Sequence, residues 1–589
     1  MRLLPTPKLS SIRDIAIIAF ALTLVDGGLM FAQYGGGVAR EFRDTDDAMR
    51  LVLARDLLHG RGWFDQLVTR IDPPDGVFFH WSRLVDGGLA AAMWLAGRFL
   101  SSTNAELVVR IVWPMLWVFP AVMAALVIAR NLGTRSAVVI GAVLMAIELQ
   151  LYRQFRPGRI DHHNIQITFA LIAMAVATVR DLRPRMAAVA GFASGLGLAV
   201  GLEALPFQAI IGASFALRLA IDRTQARAIG AYGIALSAAS AGFYVLQTPS
   251  SRWGMSFCDA MAINLVASLC VAGLGITGIA ALSARWPSAW RWSSLALVGL
   301  AVTATYLFIE PICIHGPFAA VDPRLQQIFF DRIQELQSWT TVFAQNQPVA
   351  THSMTAMVMA LLSAICLWWR NRLGIAETLA LVVLTVACVT AFRFERMEDY
   401  SFWFGFPILA AGLSYVAQRW LDDRMLPVVL MSVVLSPIVV GGVLAIHFNY
   451  RSKEAGAVRG VSLSCNDVAS YAHLAHLPPG LVLADFNLGS LILADTPHDI
   501  VSAPYHRMSK QILAAYDALN ANSARAESAV RHLRAGYIVD CSTTPDTSQN
   551  GLLTTLRSGM TPPWLTRLSG RGEAIEIWRV NPLLPHSGR

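Results

Sequence analysis

Charge is what this chain lacks most. Only 15% of its 589 residues are Asp, Glu, Lys or Arg, against 55% hydrophobic ones. Soluble domains carry about a quarter charged residues, so the shortage excludes an ordinary soluble globular chain. Lysine is scarcest, with three among 47 basic residues, so the net charge of +8 is almost wholly arginine. That excess does not imply nucleic acid, because arginines gathered in cytoplasmic loops of a membrane protein produce it equally well. Cysteines number seven and form no CxxC pair. Cys270, Cys366 and Cys388 fall in apolar runs, whereas Cys465 and Cys541 lie in a polar C-terminal part. If that part is outside the cytoplasm, they are expected to form a disulfide.

Apolar runs are abundant, and the mean hydropathy is +0.50. A bilayer core of about 30 Å needs roughly 20 apolar residues per helix. The runs predict about thirteen spans, at 14–34, 107–129, 136–152, 164–180, 186–203, 204–220, 228–246, 260–283, 293–309, 354–369, 374–391, 400–417 and 425–446. The first follows a basic head (Arg2, Lys8, Arg13) and no small-residue cleavage site closes it, so it reads as a retained helix. With the N-terminus in the cytoplasm, the inner loops "ARNLGTR", "RDLRPR", "RLAIDRTQAR", "ARWPSAWR", "WRNR" and "QRWLDDR" each carry two or more arginines. The stretch "GGLAAAMWLAGRFL" (87–100) is short and contains Arg98. As a span it would invert every later loop, so it reads as an interfacial or re-entrant helix. The chain thus divides into a transmembrane part, 1–446, with outer loops at 35–106 and 310–353, and an outer α/β domain, 447–589. In that domain "GLVLADF", "HDIVSAPY", "AGYIVDC" and "AIEIWRV" read as strands and 508–534 as a helix. The expected location is a bacterial inner membrane, with the C-terminal domain periplasmic.

Chemistry-bearing residues collect on the outer side. Asp44, Asp46 and Asp47 follow the first span in "REFRDTDDAMRLVLARDLLHG". They put hard oxygen ligands at the membrane surface, suited to Mg²⁺ or Mn²⁺. The same pattern also suits a helix start, with Asp44 as cap and Asp46 and Asp47 favoured by the dipole. The short loop "RPGRIDHHNIQI" adds Asp161, His162 and His163, with Arg153, Arg156 and Arg159 beside them. Asp161 could cap the following helix, or converge with His163 and Asp46 on one ion. Three arginines placed outside against the charge bias suit an anionic group such as phosphate. Glu335 ends an amphipathic stretch in the loop 310–353, Arg393 and Arg396 stand at the outer end of the eleventh span, and Glu203 is a lone acid in an outer turn. Asp26 lies inside the first span with no evident partner.

This layout resembles the catalytic subunit of oligosaccharyltransferase, within the GT-C superfamily of membrane glycosyltransferases that use polyprenyl-phosphate-linked sugars. "DDAMRLVLARDLLHG" is similar to that family's first aspartate motif and aligns Asp46 with its metal ligand. "DHH" resembles the second motif and implies Asp161 and His163 as further ligands. Glu335 in "RIQELQ" matches the glutamate of the mobile outer loop, and Arg393 or Arg396 the arginine that grips the donor phosphate. The family's WWDYG signature, which reads the acceptor sequon, is absent; "DFNLGSLILADTPHDIVSAPYHR" occupies its place. The resemblance therefore implies a GT-C transferase over the membrane part and not asparagine glycosylation.

The expected activity is transfer of a sugar from a polyprenyl-phosphate-linked donor to a lipid, glycan or protein acceptor, assisted by Mg²⁺ or Mn²⁺. Asp46, Asp161 and His163 are the expected metal ligands, and Arg393, Arg396 and Arg159 the phosphate partners. Asp46, Asp47 and Glu335 are the candidate catalytic carboxylates. His80 and Arg83 in "HWSRLVD" are candidates for shaping the site, and His506 and Arg507 for bringing the outer domain over it. Two alternatives stand: a transporter or lipid-linked sugar flippase, and a surface-polysaccharide polymerase or ligase. Against the first, the sequence shows no inverted repeat, and its charged clusters sit at one face rather than the midplane.

Overall fold

The computed structural model describes residues 11–283, 286–319, 321–372, 374–448, 464–541 and 551–582. Among these, eight helices are long and apolar enough to cross a membrane, from Ile12–Gly37 to Glu395–Trp420. Two bent pairs raise the number to ten if each is one span: Ala137–Ile147 with Leu149–Phe155 at 74°, and Met425–Val434 with Pro437–His447 at 41°. The second bend has a local cause. Ser436 caps the new helix through Oγ, accepting from the Val439 amide at 3.4 Å, and Pro437 supplies a first-turn residue that needs no donor. Three further expected spans coincide with the apolar helices His163–Ala177, Pro184–Val200 and Leu205–Ile221, which are 15, 17 and 17 residues long. Among the described residues, eight to ten of the thirteen expected crossings are thus long and apolar enough to span. The stretch 87–100 is not a span. Its helix, Arg83–Ala96, exposes Trp94 and Leu95 while burying Arg83 and Asp86. Asp26 has a partner after all: the Tyr152 hydroxyl donates to it at 2.9 Å.

Close helix approach depends on small residues, as lipid-embedded packing requires. A side chain on Gly233 would collide with the Gly273 carbonyl, and one on Gly191 with the Tyr232 carbonyl. The helix Ala226–Gln247 is thereby seated against both Pro184–Val200 and Ile263–Leu282.

The C-terminal part carries a five-stranded sheet. A hairpin precedes it in the chain, β1 (Leu67–Val68) against β2 (Val77–Phe78). The sheet strands are β3 (Leu481–Ala484), β4 (Asp499–Ile500), β5 (Tyr537–Cys541), β6 (Leu565–Arg567) and β7 (Ile575–Val580), in the order β4-β3-β5-β7-β6. β4, β3 and β5 are parallel, while β7 runs antiparallel to both β5 and β6. Four of the five match the strands read from sequence. The expected helix 508–534 is two helices, Ser509–Asn520 and Ser523–His532, the second capped by Asn522. Cys465 and Cys541 are bonded as expected, and a second disulfide, Cys258–Cys313, was not foreseen. The expected domain junction at 447 adjoins residues 449–463, which lie outside the described ones.

The first loop and the C-terminal domain share one apolar core, in which Phe79, Leu89 and Val52 pack with Leu491, Ile500 and Tyr505. Residues 70–72 pair in parallel with Ile500, covering the β4 edge: the Ile500 amide donates to Arg70 O at 2.9 Å and the Asp72 amide to Ile500 O at 2.8 Å. An open sheet edge is a pairing hazard, and this contact closes it. Arg70 also donates to the carbonyls of Leu493, Thr496 and His498.

Gly233→Ala tests the helix seating. The added methyl has no space, and overpacking of this kind costs about 1–3 kcal/mol. The expected outcome is a lower thermal unfolding midpoint in detergent, with Gly242→Ala, where the added carbon meets nothing, as the neutral control.

Candidate active site

The helix Thr45–Leu58 begins at the rim of a cavity of about 1560 Å³. Its cap is Asp44, whose Oδ1 accepts from the Asp46 amide at 3.3 Å. The three aspartates of this turn then diverge. Asp44 Oδ2 pairs with Arg159 at 2.8 Å, and Asp46 lines the cavity. Asp47 points inward and is fully buried: Oδ1 accepts from the Ile160 and Asp161 amides at 2.8 and 3.2 Å, and Oδ2 from Arg159 at 3.1 Å. Asp47 thus draws the loop 153–163 onto the helix. Its carboxylate is committed to these donors, and Asp47, one of the carboxylates expected to be catalytic, does not line the cavity.

One turn further on, Arg50 is buried between three segments. It donates to Asp86 at 2.6 Å and to Asp161 at 3.3 Å, and its guanidinium lies 4.3 Å from the centre of the Trp81 ring. Asp161 Oδ1 also meets His162 Nδ1 at 2.6 Å, while Oδ2 faces His163 Nε2 at 3.2 Å. His163 Nδ1 is held by Glu203 at 2.7 Å, and Glu203 by Arg396 at 3.2 Å. Arg396 continues to Glu335 at 3.0 Å, whose other oxygen stands 3.8 Å from Arg159. The chain of contacts closes into a ring drawn from five separate segments.

The electrostatics follow from this crowding. Burial pushes the Asp46 carboxyl well above the usual carboxylate range, and the neighbouring charges of Asp44, Asp161 and Glu335 push it further. Burial, opposed by Arg159, leaves Asp47 at about 7. Burial works the other way for neither Asp161 nor Glu203, yet both are held low. His162, His163 and Arg50 outweigh it at Asp161, and Arg396 and His163 at Glu203.

A divalent cation fits these residues. One donor atom each from Asp161, His162 and His163 lies within 4.8 Å of the others. Asp161 Oδ2 and His163 Nε2 are buried with no hydrogen-bond partner among the described residues. Glu203 on His163 Nδ1 fixes the ring so that Nε2 faces inward, the usual outer-shell support of a histidine ligand. Two imidazoles beside a carboxylate suit Mn²⁺ or Zn²⁺ better than Mg²⁺.

Other expected residues are placed differently. Arg393 is exposed, with its guanidinium 4.9 Å from the Phe394 ring, and does not line the cavity, so Arg396 takes the position the sequence left open between them. Arg83 is buried against Asp86 at 3.3 Å and donates to the carbonyls of Trp63 and Asp65; it too stands off the cavity. Arg153 is bound by Glu395, Glu398 and Asp399. His506 and Arg507 line the cavity and bind Asp259 at 2.6 and 2.7 Å. Sequence reading missed Arg50, Asp86 and Asp259. Arg50 carried a signal, since it lies one helical turn from Asp46 and Asp47 on an otherwise apolar face.

No family model and no curated protein matches this chain. Solved structures do. The archaeal oligosaccharyltransferase AglB from Archaeoglobus fulgidus, in complex with an inhibitory peptide and a dolichol-phosphate, superposes with a TM-score of 0.64 at 13% identity, over 89% of this chain and 69% of that one. The apo form of the oligosaccharyltransferase from the same organism gives 0.61 at 14%, over 90% and 69%. Its complex with Zn and sulfate gives 0.58 at 14%, over 89% and 68%. The protein is an integral membrane protein that shares the fold of these archaeal structures.

Glu203→Gln tests the metal reading, because it removes the charge that orients His163. Loss of such an outer-shell partner costs about 10–100-fold in metal affinity. Calorimetric titration of Mn²⁺ into protein in detergent is expected to show that loss, and no binding at this site in Asp161→Ala.

Proposed function

We propose that the protein is a membrane glycosyltransferase that moves a sugar from a polyprenyl-phosphate-linked donor to an acceptor at the outer face of the membrane. One observation carries this reading. A carboxylate (Asp46), His162 and the arginines Arg159 and Arg396 line one cavity at one end of the apolar helices, and the buried Asp161–His163 pair adjoins it beside His162. A lipid-anchored donor can present its phosphate there while its tail stays between helices. The fold shared with the archaeal oligosaccharyltransferase supports the same reading, and that protein was solved with a dolichol-phosphate.

The reaction breaks the bond between the sugar carbon and the phosphate oxygen and forms one between that carbon and an acceptor oxygen. Negative charge therefore grows on the leaving phosphate, and one proton leaves the acceptor hydroxyl. Arg396 and Arg159 receive the phosphate; Glu335, which now bridges them, gives way to it. Asp46 orients the acceptor hydroxyl and takes its proton. Asp47 and Arg50 keep the two loops in register. A divalent cation bound by Asp161 and His163 with Asp46 would supply further stabilisation of the leaving phosphate. The acceptor is not an asparagine sequon on this reading, since the segment facing the cavity is Pro504-Tyr505-His506-Arg507 and not the sequon-reading signature.

A transporter or flippase is less well supported, because the charged groups that meet in the cavity come from the loops at one end of the helices. Proteoliposomes loaded with a defined polyprenyl-phosphate sugar decide between the readings. Release of free polyprenyl phosphate, dependent on added acceptor, is expected. Removing a group that meets developing charge costs about 100–1000-fold, so Asp46→Ala and Arg396→Ala should each lose that much. Movement of intact donor between leaflets with no bond cleavage would instead make the protein a flippase.

A further inference from the structure

A second group of ligand-type side chains lines the same cavity and has no part in the reaction just described. His80 follows the strand β2 in the first loop. Asp259 lies in the loop after the helix Ala226–Gln247, next to Cys258, whose disulfide to Cys313 fixes that loop. His506 belongs to the C-terminal domain. His506 Nε2 is 2.6 Å from Asp259 Oδ2, and His80 Nε2 is 3.9 Å from the same oxygen. One donor atom from each of the three lies within 4.8 Å of the others.

We infer that His80, Asp259 and His506 form a second divalent-metal site, suited to Zn²⁺, that ties three outer segments together at the cavity wall. The chemistry of the donors points to this cation. Two imidazoles and one carboxylate, with a fourth position open to the cavity, are the ligand types and number that Zn²⁺ takes. The ligands are already positioned. Arg507 grips the Asp259 carboxylate with two bonds, of 2.7 and 2.6 Å, which fixes its plane. Phe79 stacks on His80, and Phe318 meets the His506 ring edge-on. The three side chains are only 10%, 10% and 16% exposed, so the site is sheltered but open to solvent. The Arg507 charge weakens cation binding, yet it sits on the carboxylate as an outer-shell partner does in metal sites. A simple hydrogen-bonded clamp of Asp259 by His506 and Arg507 does not account for His80. It brings a third nitrogen toward the same oxygen at a distance too long for a hydrogen bond.

That distance makes His80 the discriminating residue, because its loss leaves the clamp intact. Full-length protein in detergent, stripped with chelator, is titrated with Zn²⁺, and bound metal is counted after desalting. Two equivalents are expected in the wild type, and one each in His80→Gln, Asp259→Asn and Asp161→Ala. Zn²⁺ should also raise the thermal midpoint of the Asp161→Ala variant but not of a variant lacking both Asp161 and His80. If the Asp259 variant does not fold, His80→Gln decides alone. A single equivalent lost in His80→Gln but kept in Asp161→Ala would support this inference while removing the metal from the transfer site. Two equivalents retained in His80→Gln, one equivalent lost only in Asp161→Ala, or no binding in the wild type would each overturn it.

Discussion

Arg50 is the residue on which the rest of the site depends. Its side chain is completely buried, and a buried guanidinium must be paired to be tolerated. Its partners are Asp86 on the helix Arg83–Ala96 and Asp161 on the loop after the bent helix, with Trp81 beneath its plane. Each partner is itself buried, so the three segments cannot separate without exposing charge to an apolar surrounding. The direction of Asp161 follows: with Oδ1 occupied by Arg50 and His162, only Oδ2 is left to face His163. The candidate metal pair is therefore a product of a charge placed one turn along a helix from the acidic cluster.

The same logic explains why so many charges can sit in one cavity. Asp44, Asp47, Glu203 and Glu335 are each matched to Arg159 or Arg396, and each arginine serves more than one acid. Among the described residues, only Asp46 of the acids gathered here has no arginine or lysine within salt-bridge distance. Like-charge crowding around it is relieved by a cation or a proton and by little else. Glu335 lies between Arg159 and Arg396, so an anion entering between the two guanidinium groups must displace a carboxylate.

Much of the fold was legible because a bilayer imposes a length and a hydropathy that a sequence cannot disguise. The apolar runs fall on helices, and the loops that carry the acidic clusters gather the site. What was not legible depends on side-chain direction. Asp44, Asp46 and Asp47 look alike in the chain, yet one caps, one lines the cavity and one grips two amides. Arg393 and Arg396 are equivalent by residue type. The helix ends at Arg393 and a tighter 3₁₀ turn follows, which leaves Arg393 exposed and turns Arg396 to Glu203. Cys258 and Cys313 flank different spans, and nothing in their spacing announces that two outer loops meet. The Cys465–Cys541 pair was easier, since both lie in the same polar domain.

The C-terminal domain is best understood as part of the site and not as an appendage. Its core is continuous with that of the first loop, and residues 70–72 close the sheet edge at β4. Tyr505 reaches from this domain to the Thr45 carbonyl at the start of the acidic helix, and packs edge-on to Trp81, which carries Arg50 on its own face. The domain is thus in contact, through one tyrosine and one tryptophan, with the arginine that pairs with Asp161. Pro504–Arg507 line the cavity on a wall whose buried base is tied, through Tyr505 and Trp81, to Arg50 and so to Asp161.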